Sequence, residues 1–358
     1  DMEAAATVTT KERKQHRPST QRTRNLRQAY MAGKWSICAD RSVLVTDSYK
    51  KTEALPPVLR QALALDKVLT EMPIWIQDGE LIVGSFASRP KGVFLYPEYD
   101  QTWLEPELDT ISTRAGDSWC LSDEDRERLR SCMDYWRGKN LAAFTDALTP
   151  REVKQAERNI FINIDMGKQA GVGHICVGVD QVILEGLNGL IQQAQNHLDS
   201  LDLANPDDYA KWHFLEAVII ADKAVIKWAQ RFADLAREEA AAEQDPGRKL
   251  ELAQIAEVCE WVPANPARTF REALQTVAFI NHSVHIEASG PSNGPGRLDQ
   301  YFLPFYEKDL TEGAMTKAQA LELLECLWLK LAETNRAAPA YLTLAHSGYP
   351  MWVQIPVG

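Results

Sequence analysis

Between Cys259 and Tyr306 the chain runs from an amphipathic helical stretch into a turn with Gly290, Gly294 and Gly296 set among Pro291 and Pro295, then into the aromatic segment Asp299-Gln300-Tyr301. Glycine opens positive-φ backbone, proline stiffens the path, and Ser289, Ser292 and Asn293 supply polar side chains that can face a ligand. Spacing alone leaves two readings open, a structural corner or one wall of a binding site. The turn is not a phosphate-binding Walker loop, because no Gly-Lys-Ser/Thr follows it.

Helix signals dominate elsewhere. Thr149-Pro150-Arg151-Glu152 predicts a helix start with the Thr149 hydroxyl as cap, and Asn205-Pro206-Asp207-Asp208 repeats the logic. The second start leads into Trp212, Leu215, Ile219, Ile226, Phe232 and Leu235 near a 3.6-residue period, up to the stop at Gln244-Asp245-Pro246-Gly247. A capping box at Thr316-x-x-Gln319 opens a further helix through Leu321, Leu324, Trp328 and Leu331. Strand-like runs are few: Leu81–Gly84, Gly92–Tyr96, Gly173–Val177 and Trp352–Val357. The pattern is α/β with an excess of helix, without internal repeats.

A chain of 358 residues that is 45% hydrophobic can bury a large core. Its net charge of -11 argues against a broad nucleic-acid or anionic-membrane surface, and small molecules or protein partners fit better. The basic run from Lys11 to Arg17 reads as a solvated tail, and residues 1–21 are set aside as a disordered or appended segment, leaving 22–358 as one unit. Six scattered cysteines without a CxxC pair suggest reduced thiols. No stretch reaches the roughly 20 apolar residues of a membrane span, so a cytoplasmic location is expected. His282, His285 and Glu287 offer a metal reading, but no His-Glu-x-x-His frame with a third ligand is present, and no metal is expected.

Taken with Gly348-Tyr349-Pro350-Met351 and Ile37-Cys38-Ala39-Asp40-Arg41, the glycine-rich segment resembles the glycyl radical enzymes of the pyruvate formate-lyase-like superfamily, most nearly their glycerol/diol dehydratase-type subgroup. Glu287, Gly290, Ser292, Gly296, Arg297, Asp299, Gln300 and Tyr301 stand in that motif's register. The resemblance runs from about Arg22 to Gly358 and implies the helix-rich N-terminal half of a ten-stranded α/β barrel, incomplete in this chain. It implies that Ser292 hydrogen-bonds substrate hydroxyls and that His174, ahead of Val182-Ile183-Leu184, contacts substrate. It further implies that Tyr349 closes the pocket and that Met166 gives it an apolar wall. If helical, Met166, Ala170 and His174 share one face through i, i+4 spacing. One position departs: dehydratases of this kind usually place histidine directly before the serine, where this chain has Pro291.

The resemblance also implies a protein-derived glycyl radical made by a radical-SAM activating enzyme and relayed to a cysteine, with both the radical glycine and cysteine outside this chain. No metal or organic cofactor bound by the chain is implied. The expected reaction is elimination of a leaving group from a small hydroxylated or substituted substrate, as in a dehydratase or C–N/C–S lyase of an anaerobic bacterium or archaeon. Arylacetate decarboxylation and a catalytically inactive binding or scaffold role are the alternatives. Expected partners are a missing C-terminal half or second subunit and a second copy in a homodimer; the chain by itself is expected to be inactive.

Overall fold

A computed structural model describes residues 19–159, 171–345, 348, 353 and 355. In chain order its elements are α1 (Gln21–Ala32), β1 (Ser36–Cys38), α2 (Asp40–Lys51), α3 (Pro57–Glu71), β2 (Gly92–Phe94), α4 (Leu104–Glu107), α5 (Asp123–Trp136), α6 (Leu141–Leu148) and α7 (Arg151–Arg158). They continue with α8 (Val179–Asp199), α9 (Pro206–Ala242), α10 (Pro246–Trp261), α11 (Phe270–Glu287), α12 (Leu298–Thr311), α13 (Lys317–Leu331) and α14 (Ala340–Ala345).

The long α9 packs against α3, α8 and α10, and α11 packs against α13, α12 and α8. Trp228 and Phe232 of α9 meet Phe279 of α11 at ring-centroid distances of 5.4 and 5.7 Å, in tilted and edge-on arrangements that aromatic quadrupoles favour. Nearly every residue of α11 is buried, including the polar Gln275, Asn281, His282 and His285. This buried helix packs between several others, and its C-terminal end positions the site.

The helical excess agrees with the sequence. Asn205 caps α9 by accepting from the Asp207 amide, and Thr316 with Gln319 forms the reciprocal capping box at α13. Thr316→Ala is expected to cost about 1 kcal/mol, read as a lowered midpoint in chemical denaturation, because one orphan amide then faces water alone. Thr149 does not cap α7: Pro150 occupies the cap position without a side-chain bond. The Thr149 hydroxyl donates instead to the Thr145 carbonyl of the preceding helix. At the other end, Thr20 caps α1 and Gln21 is its first residue, so ordered helix begins inside the segment set aside as tail.

The strands differ more. β1 and β2 pair in parallel, Ile37 opposite Val93, and single bridges extend the row to Cys120 on one side and Arg336 on the other. This is the only ladder among the described residues. Leu81–Gly84 is buried but not a strand, because the Gln275 amide takes the place of a neighbouring strand: its oxygen accepts from the Val83 N–H (2.9 Å) and its nitrogen donates to the Val83 carbonyl (2.7 Å). The strand expected at Gly173–Val177 is reduced to one bridge, Cys176 to Gly294. The run expected at Trp352–Val357 lies outside the described residues apart from Val353 and Ile355. No helix among the described residues is long and apolar enough to cross a membrane.

Candidate active site

The last carbonyls of α11 are met by side chains from elsewhere in the chain. The Tyr96 hydroxyl donates to the His285 carbonyl at 2.7 Å, Arg41 Nε to Ile286 at 2.5 Å, and Arg41 Nη2 to Glu287 at 2.9 Å. Arg41 is buried, lies 4.0 Å over the Tyr96 ring, and is paired at 2.5 Å with the Glu98 carboxylate. A buried guanidinium is tolerable only when paired and hydrogen-bonded in this way. Two residues on, the Ser289 carbonyl accepts from Arg336 Nη1 at 2.9 Å.

The turn that follows lies directly against the segment after residue 170. The Gly171 amide donates to Ser289 Oγ (3.1 Å), His174 to the Pro291 carbonyl (2.8 Å), Gly294 to Ile175 (3.0 Å) and Val177 to Gly294 (3.0 Å). Gly290 makes this approach possible, since a Cβ there would stand 1.7 Å from the Val172 carbonyl oxygen. His174 and Ser292 both adopt left-handed backbone, φ 57° and 63°. Each such non-glycine residue stores on the order of 1–3 kcal/mol and persists only where its surroundings over-determine it. His174 is therefore not helical, and the shared helical face with Met166 and Ala170 does not extend to it; those two residues lie outside the described residues, as does Tyr349.

A cavity of about 890 Å³ opens beside this loop pair, and His174 and Pro291 line it together with Arg41, Gln61, Glu98, Tyr99 and Glu287. Ser292 itself does not line that cavity. Gln61 donates to Glu287 Oε1 at 2.8 Å, yet burial pushes the Glu287 carboxyl above its ordinary value. Burial, with Glu98 adding to it, pushes the Tyr49 phenol up to about 12 and Tyr99 further still, so both phenols remain neutral. One Glu98 oxygen and one Arg41 nitrogen are buried with no hydrogen-bond partner. Neutral phenols beside an ion pair and apolar walls suit the orientation of a small polar molecule.

Other sequence candidates lie apart. Arg297 and Gln300 sit exposed at the start of α12, and the 890 Å³ cavity does not reach them. His282 and His285 are buried inside α11, where burial lowers both imidazoles, His285 to about 4. No group of three or more His, Cys, Asp or Glu side chains able to hold a metal occurs among the described residues. Burial raises the thiols of Cys38, Cys259 and Cys326, which are inert as nucleophiles in that state. Sequence reasoning had missed Glu98, Tyr99, Gln61 and the role of Arg41, because their partners are distant in the chain.

Comparison with known proteins places the chain in a family. The family model for pyruvate formate lyase-like proteins matches residues 15–358. An isethionate sulfite-lyase of Oleidesulfovibrio alaskensis is 35% identical, over 96% of this chain and 43% of the relative. A solved structure concerned with 1,2-propanediol dehydration in Roseburia inulinivorans matches with a TM-score of 0.93 at 38% identity, over 95% of this chain and 43% of that one. The glycerol-bound B12-independent glycerol dehydratase of Clostridium butyricum matches with a TM-score of 0.91 at 36% identity, over 95% and 43%. The chain belongs to the pyruvate formate lyase-like family of glycyl radical enzymes, and its relatives include a glycerol dehydratase and an isethionate sulfite-lyase. It spans less than half the length of these relatives.

Proposed function

We propose that these residues form the substrate-side part of a glycyl radical lyase, a dehydratase or C–N/C–S lyase that eliminates a leaving group from a small hydroxylated or substituted substrate. The observation that carries the reading is the meeting of His174 and Ser292 on abutting loops, each held in left-handed backbone. In this reading the Ser292 hydroxyl and His174 imidazole hold substrate polar groups, with Met166 and Tyr349 completing the wall. Family members are activated by radical-SAM enzymes and bind small molecules. The protein-derived radical supplies hydrogen abstraction from a substrate carbon, and in this reading its glycine and relay cysteine come from outside these 358 residues.

The chain's own part in the reaction is to orient the substrate and exclude water. The cavity suits that role on the His174 side of the loop pair, because Val45, Leu65, Val68 and Trp136 give it apolar, unreactive walls while its phenols stay protonated; Ser292 stands on the adjoining turn, outside its lining. Pro291 favours a second reading, arylacetate decarboxylation, because it offers only a carbonyl and the His174 amide already occupies that carbonyl. A relative named indoleacetate decarboxylase, from Tractidigestivibacter scatoligenes, is 25% identical over 90% of this chain.

The test is anaerobic activation of the full-length protein with a radical-SAM activase, followed by turnover on a panel of diols, sulfonated alcohols, hydroxyprolines and arylacetates. His174→Ala and Ser292→Ala are each expected to lower kcat by about 10²-fold or more, with only small shifts in melting temperature, since alanine bears the same left-handed backbone penalty. Unchanged kinetics in both folded variants would remove the loop pair from the reaction. Turnover confined to arylacetates would replace the elimination reading with decarboxylation.

A further inference from the structure

We infer that Arg41 is a positioning residue: by bridging the last two carbonyls of α11 it fixes the turn that carries Ser292 and, across the loop contact, the backbone of His174. The inference rests on the proposed lyase reading for its kinetic consequence, though not for its geometry. Arg41 donates through Nε to Ile286 and through Nη2 to both the Glu287 carbonyl and the Glu98 carboxylate, and its guanidinium lies over the face of Tyr96. Next along the chain come Arg336 on the Ser289 carbonyl, Gly171 on the Ser289 hydroxyl and His174 on the Pro291 carbonyl. The path from 286 to 291 is thus pinned by donors from three distant parts of the sequence.

This pinning is what two strained residues require. Left-handed His174 and Ser292 relax toward ordinary backbone unless their neighbours forbid it. Removing Arg41 leaves two carbonyls and the Glu98 carboxylate without their buried donor, and the end of α11 is then free to unwind toward water. Lysine cannot substitute, because a single ammonium lacks the planar fork that reaches two carbonyls and a carboxylate at once. A shift of about 1 Å in a substrate-holding group costs on the order of 10²-fold in rate.

The experiment compares wild type, Arg41→Ala and Arg41→Lys in the activated full-length protein. Glycyl radical content by EPR is expected to stay level while kcat falls by about 10²-fold with little change in KM. Millimolar guanidinium is expected to restore part of the Arg41→Ala rate and none of the Arg41→Lys rate. Amide hydrogen exchange should speed up by about tenfold or more in 171–177 and 288–294 while α9 is unchanged. Unchanged exchange in those two segments of the folded variants would overturn the inference, as would a rate loss fully explained by a smaller folded fraction. Faster exchange in variants of a protein whose wild type turns over no lyase substrate would uphold the positioning role and sink the lyase reading. Should Arg41→Ala fail to fold, Arg41→Lys alone carries the exchange test, because it keeps a positive charge beside Glu98.

Discussion

Replacing Lys330 with alanine is expected to destabilise the fold by about 3–5 kcal/mol, the cost of leaving partner charges buried without their counter-charge. Lys330 sits in the last turn of α13 with only 2% of its surface exposed. Its Nζ lies 2.5 Å from Glu80 and 2.9 Å from Glu333, and 5.2 Å from the Trp75 ring centre. One ammonium therefore serves two carboxylates, and the second oxygen of Glu333 has no partner at all. Burial is the main reason the Glu333 carboxyl is raised to about 7, with Lys330 opposing and nearby Glu80 reinforcing the rise. An acid whose folded pKa lies above its unfolded one binds its proton more tightly in the native state, so it stabilises fully at low pH. That contribution is lost as pH climbs from the ordinary 4.5 through about 7. Glu333→Gln should accordingly flatten the decline in urea stability over this window. Replacing Lys330, Glu80 and Glu333 together by methionine and leucines is expected to restore wild-type stability or exceed it by about 1–4 kcal/mol. A Lys330→Ala cost below about 1 kcal/mol would mean that water screens the cluster as it does a surface pair.

The elements that could be read from sequence are those whose determinants are local. Asn205 and Thr316 each meet an amide two or three residues away, so their helix starts were legible in a few letters. Thr149 shows the limit of the same rule: its hydroxyl had a competing acceptor one turn back, in the helix before it. Leu81–Gly84 looked like a strand because it is apolar and buried, but its hydrogen-bond partner is a side chain 192 residues away. β1 is three residues long, too short to display alternation, and its partner begins near residue 92. In the site, the glycine-rich turn and the Gly173-His174 segment each announced themselves, and the structure sets them side by side. The helical face drawn through His174 failed because periodicity assumes continuous helix, and the close approach of the two loops imposes another backbone. Arg41 carried no local signal of its role, since both carbonyls it holds lie about 245 residues on.

Gly290→Ala is expected to separate the two loops and to damage the site about as severely as truncating His174 or Ser292 themselves. A Cβ at 290 would stand 1.7 Å from the Val172 oxygen, 2.2 Å from its carbonyl carbon and 2.6 Å from the Gly173 nitrogen. All three are backbone atoms, so no side chain can swing aside and the segments themselves must part by more than an ångström. The hydrogen bonds from Gly171 to Ser289 and from His174 to Pro291 lie on either side of this contact and would be stretched together. Overpacking of this kind costs about 1–3 kcal/mol or more, while a displacement of about 1 Å in a substrate-holding group lowers turnover on the order of 10²-fold. The expected signature is therefore a moderate fall in melting temperature, fast amide exchange at His174 and Gly294, and loss of turnover with radical formation intact. His174 and Ser292, released from contact, no longer need their left-handed angles, so part of the stored strain is recovered and the fold survives. A Gly290→Ala protein with unaltered exchange at His174 and unaltered kinetics would show that the loops tolerate separation, and that their contact does not set the geometry of the site.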